Sequence, residues 1–316
     1  MGNGKIRLMD QSKYGLIFAI LSPLFSSIST IFKAGAAKSL TPLVVVGIGG
    51  LIGSILLFLL ARIFKEKNIF QKIKNNWKDL VLVILLRSLI GELFFTVGLS
   101  QTEAVKAIFF TKIEPYFVLI ISWFLLKEKI KGNQLLLLVV HLFGAVMLST
   151  GGKINIGTKA QIGDLFIIIA MALFAISYNF GKKVSHNIGP ISGNAVSMGA
   201  SSLIILPFIL LFSPLQKLTG QTSGWIYLFA YVVLFNVIAL TLWYASLKAV
   251  KGWIVSSLRY IGPVLGAPFA YFLFKETLNT TQIIGAGIII VTSFIIVREH
   301  LKTSKPASEK DLGRKE

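Results

Sequence analysis

Apolar residues along the chain come in blocks separated by short polar gaps. The blocks place candidate helices at 14–33, 42–62, 79–100, 104–127, 133–150, 162–181, 193–213, 224–247, 252–274 and 280–298. Each is close to the roughly 20 residues that a helix needs to cross about 30 Å of hydrocarbon. Stretches such as "LIGSILLFLLA" (Leu51 to Ala61) and "GAGIIIVTSFIIV" (Gly285 to Val297) are apolar on every side, whereas a membrane barrel strand alternates at every second residue. The pattern predicts an all-α integral membrane protein with ten transmembrane helices. The opening "MGNGKIRLMDQSKYG" sets basic residues before an apolar run, as a signal peptide does, but the run exceeds an h-region and no small-residue cleavage site is evident. It is read as the first span, retained.

The blocks repeat. Shifted by 148 residues, "KIEPYFVLIISWFLLKEK" (Lys112 to Lys129) lies over "YIGPVLGAPFAYFLFKET" (Tyr260 to Thr277), matching Ile113/Ile261, Pro115/Pro263, Phe124/Phe272, Leu125/Leu273, Lys127/Lys275 and Glu128/Glu276 without a gap. The same offset pairs Gly15/Gly163, Phe18/Phe166, Ile20/Ile168, Ile28/Ile176, Ser29/Ser177, Phe32/Phe180 and Gln134/Gln282. Apolar runs match by chance, but a fixed register that includes Gly, Pro and a Lys-Glu pair does not arise that way. The chain reads as two five-helix units, 13–151 and 160–298, followed by a polar cytoplasmic tail at 299–316 that is expected to be disordered. Five is odd, so the second unit enters the membrane from the opposite side. Inverted repeats are the common construction of secondary transporters, whose halves exchange conformations to open a cavity on either face.

Composition fits this class: 54% of residues are hydrophobic and 14% charged, more apolar surface than a soluble chain of this length buries. The net charge of +19 would suit a nucleic-acid binder, but the basic residues sit in gaps between apolar blocks rather than in a groove, so no nucleic acid is expected. With the N-terminus inside, twenty-two Lys and Arg fall in inner segments and six (Lys33, Lys38, Lys153, Lys159, Lys217 and Lys275) in outer ones. That bias predicts both termini in the cytoplasm. Cysteine is absent and the three histidines are scattered, so neither thiol chemistry nor a metal site is expected.

The two copies of a proline, a following apolar or aromatic stretch and a Lys-Glu pair near the end of the fourth helix of each unit resemble the EamA family of the drug/metabolite transporter superfamily. The resemblance covers about residues 13 to 298. It implies a cavity between the halves, lined largely by the first, third, fourth, sixth, eighth and ninth helices. It also implies export or exchange of small metabolites such as amino acids and related zwitterions. Lys112 and Glu114, flanking Pro115, carry stronger charges than a generic family position, and the second unit has Tyr260 and Gly262 there instead. That asymmetry suggests a substrate site.

Charges inside the spans can be placed by depth. At 1.5 Å per residue, Arg87 and Glu92 lie about 12 and 20 Å along the third helix from Asp79, and Lys112 and Glu114 about 14 and 17 Å along the antiparallel fourth from Glu103. Arg87 then comes level with Glu114, and Glu92 with Lys112. Arg259, about 12 Å up the ninth helix from Lys251, joins the Arg87–Glu114 level. Charges at such depth face the bundle interior or a wet cavity. Either they form permanent pairs that register the helices, or they handle substrate and protons: Glu92 and Glu114 as proton acceptors, Arg87, Lys112 and Arg259 as a cradle for an anionic group.

Weaker signals surround them. Asn179, Asn236 and His141 could touch substrate, although hydrogen bonds between helices are the more common use of such residues. Trp123, Tyr178, Trp243, Tyr244 and Tyr260 could stack on a ligand or serve packing and the interface belt. Pro115 and Pro263 are expected to kink their helices. Glu103 and Lys106 have the spacing of a helix-start pair, and Lys127-Glu128 and Lys275-Glu276 mark helix ends. "GIGGLIG" (Gly47 to Gly53) lacks the Lys-Ser/Thr of a phosphate loop and reads as a packing surface. No nucleophile-base pair, paired acids, cofactor loop or ATP motif appears, so the chain is expected to be neither an enzyme nor an ATP-driven pump by itself, and to need no cofactor. The expectation is a cell-membrane transporter whose partners are a small-molecule substrate, membrane lipid and, as one option for assembly, a second copy of the chain. The alternative is a lipid-binding or receptor module without transport.

Overall fold

The computed structural model describes residues 2–66, 68–114, 116–118, 120–121, 132–152, 158–214, 218–219, 221–249 and 258–303. The side chains of 2–13, 134, 179, 182, 244, 247–249, 260, 296–297 and 299–303 lie outside that description. Among the described residues every element is helical. Helix α1 spans Gly2–Ser39 and α2 spans Pro42–Ile63. Thr41 starts α2 by accepting from the Val44 N–H at 3.3 Å, and Pro42 takes the first turn, where a missing donor costs nothing. A two-turn helix, Ile69–Asn75, leads to α3, Trp77–Gln101. Helix α4 runs Ala104–Phe110, tightens into a 3-10 turn at Thr111–Ile113 and resumes at 114, while α5 covers Gly132–Thr150. In the second half α6 is Lys159–Asn187, opened by a Thr158/Gln161 capping box. Then come α7 (Pro190–Phe212), α8 (from Thr222 to Ala249), α9 (a 3-10 turn at Arg259–Ile261, then Gly262–Phe274) and α10 (Thr280–Thr303).

Six helices, α1, α2, α3, α6, α7 and α8, are long and apolar enough to cross a membrane. Shorter apolar helices occur in α5, α9 and α10, and the predicted span 104–127 runs into residues outside the described ones. Large apolar side chains such as Leu210 and Phe272 point outward with 86% and 70% of their surface exposed, an arrangement that only a lipid environment makes favourable. The chain is a multi-pass membrane protein. Two boundaries differ from expectation: α1 already begins at Gly2, and α10 carries on to Thr303, five residues into the stretch expected to be a disordered tail.

The 148-residue offset reappears in the backbone. Helix α3 widens into a π-helix at Ile84–Gly91, and α8 does so at Val233–Ala239. The 3-10 turns at Thr111–Ile113 and Arg259–Ile261 are 148 residues apart. Packing follows the same exchange. Helix α1 packs along α8, and its counterpart α6 packs along α3; α2 lies against α7 and α5 against α10. Small residues permit the close crossings. A Cβ on Gly285 would lie 2.6 Å from the Gly144 carbonyl, and one on Gly98 2.7 Å from that of Gly163. Gly47, Gly49, Gly50 and Gly53 sit under side chains of α7 and α8, so the glycine-rich run is a packing surface.

Each half also caps a helix of the other. The Glu276 carboxylate, in the α9–α10 connection, accepts from the N–H groups of Ala104 (3.0 Å) and Val105 (2.9 Å) at the start of α4, with Lys38 at 3.5 Å. Glu66, after α2, accepts from Ile191 (3.3 Å) and Ser192 (2.8 Å) at the start of α7. Carboxylates there complement both the orphan donors and the positive end of the helix dipole. On the Glu276 side, Asp164 accepts from Thr102 (2.5 Å) and Ser149 (2.6 Å), tying the start of α6 to the ends of α3 and α5. Glu103 and Lys106 pair there at 3.4 Å.

Candidate functional site

Between the two halves lies a cavity of about 360 Å³, lined by α1, α2, α3, α4, α6, α7, α8 and α9. The six helices that the resemblance implied all contribute; α2 and α7 add Val45, Val46 and Gly50 and Asn194, Met198 and Ser201. Both π-helical segments face this space, giving it Arg87 and Ser88 on one side and Phe235, Asn236 and Ala239 on the other. A π-turn inserts one residue into the helical register and so turns side chains away from the face the flanking helix presents. Hydroxyls take up acceptors where the helices depart from α geometry: Ser22 donates to the Ala239 carbonyl (2.9 Å) and Ser293 to that of Lys112 (3.2 Å).

All five predicted charged residues line the cavity. Arg87 and Glu114 meet with Nη1 and Oε1 3.9 Å apart, and the guanidinium lies over the Phe174 ring at 4.7 Å. Gly91 makes that possible, since a Cβ on it would lie 2.7 Å from the same ring. Arg259 lies over Trp243 at 5.2 Å. The expected pairing of Glu92 with Lys112 is not what forms. Glu92 is ion-paired and hydrogen-bonded to Lys33 of α1, whose ammonium also lies over Phe95 (4.9 Å) and Tyr231 (5.1 Å). Lys33 was expected outside the membrane on the outer side; it is 3% exposed within α1, two turns before that helix ends. Lys112 instead sits on the 3-10 turn of α4, within electrostatic reach of Arg259 and Glu114.

Level along the helix axis does not select a partner, because α1 brings a cation to the same level as α4. The sequence does carry a signal for Lys33: Ser22, Ser26, Thr30 and Lys33 fall on one helical stripe, and all four line the cavity.

Side-chain exposure is 42% for Arg87 and 24% for Glu114 in one pair, and 32% for Glu92 and 4% for Lys33 in the other. Helix α3 runs from Arg87 through Glu92 toward the end held by Glu276 and Asp164, and Lys33 is the most buried of the four paired charges. Asn236 is fully buried on the lining, and neither its amide oxygen nor its nitrogen bonds to a described residue. Asn179 has no described side chain, as is true of Trp123, Tyr244 and Tyr260, and Pro115 lies outside the described residues. Tyr178 is 51% exposed, away from the cavity lining. His141, fully buried, bonds Thr292 of α10 at 2.9 Å and stacks on Tyr116, so it ties helices together. Pro263 does not bend a helix interior: it occupies the first turn of Gly262–Phe274, and the break is the 3-10 turn before it.

A multi-pass helical membrane protein with a polar, charged cavity between two equivalent halves has the form of a transporter. The EamA-like transporter family matches residues 13–150 and 161–298, and the chain belongs to that family. It is 28% identical over 261 residues to the uncharacterized transporter YoaV of Bacillus subtilis (strain 168), a match covering 80% of this chain and 86% of that one. An uncharacterized transporter of Methanothermobacter thermautotrophicus is 24% identical, covering 90% of this chain and 86% of its own. Protein PecM of Dickeya dadantii (strain 3937) is 23% identical, covering 63% and 68%. A solved crystal structure matches in fold with a TM-score of 0.62 at 15% identity, covering 94% of this chain and 99% of the other. The chain is a membrane transporter.

Proposed function

We propose that the protein is a secondary transporter of the cell membrane, moving a small polar metabolite by alternating access through the cavity between two inverted five-helix repeats. The observation that carries this reading is that the cavity is lined by both halves, while the contacts around it exchange under the repeat: α1 with α8 corresponds to α6 with α3. A structure in which the two halves are interchangeable has a partner state, related by the pseudo-two-fold axis in the membrane plane, that opens at the other face. Ten spans with both termini cytoplasmic follow from the odd helix number and the basic-residue bias; the cavity then opens inward and the Glu276–α4 cap closes the outside. Glu114 is the titratable group of the cycle, exchanging Arg87 for a proton or for an ammonium group of substrate.

Two measurements test this. Purified protein in liposomes should accumulate labelled substrate against an outward gradient of the same unlabelled compound; lack of counterflow for every member of a metabolite panel would refute transport. For topology, cysteines introduced into this cysteine-free chain at Lys74 and at Thr222 should differ, with an impermeant maleimide applied outside cells labelling position 222 alone. Labelling of 74 alone would invert the bundle.

A further inference from the structure

The charges on the cavity wall do not balance. Four described lining residues are cationic (Lys33, Arg87, Lys112 and Arg259), and two are carboxylates, Glu92 and Glu114. The other carboxylates with described side chains are engaged elsewhere. Glu66 caps α7, Asp79 pairs with Lys183 at 3.6 Å, Glu103 pairs with Lys106, Asp164 holds two hydroxyls and Glu276 caps α4. The chain's remaining acids, Asp10, Glu128, Glu299, Glu309, Asp311 and Glu316, have no described side chains. Among the described lining residues cations therefore outnumber carboxylates, inside a membrane where charge is costly.

The excess is placed for recognition rather than spread. Lys33 is consumed by Glu92. Arg87 and Arg259 each lie over an aromatic ring, Phe174 and Trp243. Both line the cavity, and a guanidinium held over a ring keeps its N–H donors available for bidentate binding of an oxyanion. Lys112 adds a third cation next to Arg259. Asn236, buried with both amide atoms unbonded to described residues, offers a donor and an acceptor on the same wall. At about 360 Å³, the space is near the lower limit for ligand sites, about 300 Å³, and so fits a metabolite rather than a lipid.

Resting on the transporter reading above, we propose that the transported ligand is a small organic anion with net negative charge, its carboxylate or phosphate oxygens held by Arg87, Lys112 and Arg259 and its apolar body against Phe174 and Trp243. A neutral zwitterion leaves the excess in place; an acidic amino acid, a dicarboxylate or a phosphate ester removes it. This narrows the class implied by the family resemblance.

The test is ligand stabilisation of the purified full-length protein at constant ionic strength, because a ligand that binds the folded state raises the melting temperature. The probes are succinate and benzoate, glycerol 3-phosphate, alanine, putrescine and glycerol, with sodium chloride as control. A concentration-dependent rise with at least one of the three anions, and none with alanine, putrescine or glycerol, is expected. The carboxylate and phosphate arms show which oxyanion is taken. Arg259→Gln should weaken the anion's apparent affinity at least ten-fold and Glu114→Gln should leave it equal or tighter; Arg87→Gln serves as second cationic variant if Arg259→Gln does not fold. Stabilisation by alanine or putrescine instead, no stabilisation by any of the three anions, or undiminished anion binding in the folded arginine variants would overturn the proposal. Liposome flux separates this from the transporter reading: anion binding without any flux removes transport and keeps the site, whereas counterflow of neutral zwitterions or cations keeps transport and removes the anion assignment.

Discussion

Glu92→Gln is expected to lower the stability of the folded protein by about 3 kcal/mol, the lower part of the range for breaking a buried ion pair. The cost falls on Lys33. Its side chain is 4% exposed, and with Glu92 neutral its charge would be left with an amide oxygen, the Tyr231 hydroxyl and the rings of Phe95 and Tyr231, none of which carries a charge. Such rings contribute about 2 kcal/mol to a desolvated cation, too little to replace a carboxylate. Lys33→Met should cost less, since the stranded Glu92 side chain is 32% exposed and reaches water. The double variant removes both charges and is expected to recover most of the loss, giving a coupling of more than about 1 kcal/mol in a double-mutant cycle. Melting temperatures of the four proteins in one detergent supply the cycle. Strictly additive losses would mean that Lys33 and Glu92 do not depend on each other and that α1 and α3 are held together otherwise.

Glu114→Gln is expected to do the opposite: leave the fold intact and abolish net transport driven by a proton gradient. The Arg87–Glu114 contact is long at 3.9 Å, and its side chains are 42% and 24% exposed. A partly hydrated pair of that kind contributes about 0–1 kcal/mol. Arg87 also keeps Phe174 beneath it when the carboxylate is neutralised. Glutamine preserves the volume and an acceptor but cannot bind and release a proton, so flux falls without a matching drop in melting temperature. Transport and melting temperature measured together on Glu114→Gln, Arg87→Gln and the double variant decide the matter. Poor folding of either single variant, with folding and full transport restored in the double, would make the two charges scaffolding.

The contrast between these pairs shows where sequence stops. Helix rise gives each residue a depth, and depth was enough to bring Arg87 level with Glu114, because α3 and α4 both contribute to the cavity wall. Depth does not give direction around the helix. Glu92 and Lys112 come out level as well, yet Glu92 turns toward α1 and Lys33, a partner on a helix that the ordering of spans does not make adjacent. The backbone departures were equally hidden. "ILLRSLIG" and "VLFNVIA" share almost no residues, but both are π-helical at nearly the same repeat position, because each faces the other half of the bundle and its packing sets the register.

By itself the sequence determined the membrane class, the helical content, the 148-residue repeat and the family, because each is carried by hydrophobicity and period, which are local properties of the chain. It also placed Arg87, Glu92, Lys112, Glu114 and Arg259 inside the spans, since charge at depth is read directly against the apolar background, but it left Lys33, at a span's edge, on the outer side. Only the tertiary structure decided the partners: Lys33 for Glu92, the α4 start for Glu276, the α7 start for Glu66, and the rings under Arg87 and Arg259. Those contacts join residues far apart in the chain. Their selection depends on how helices cross and rotate, which is fixed by side-chain packing across the whole bundle rather than by any one segment.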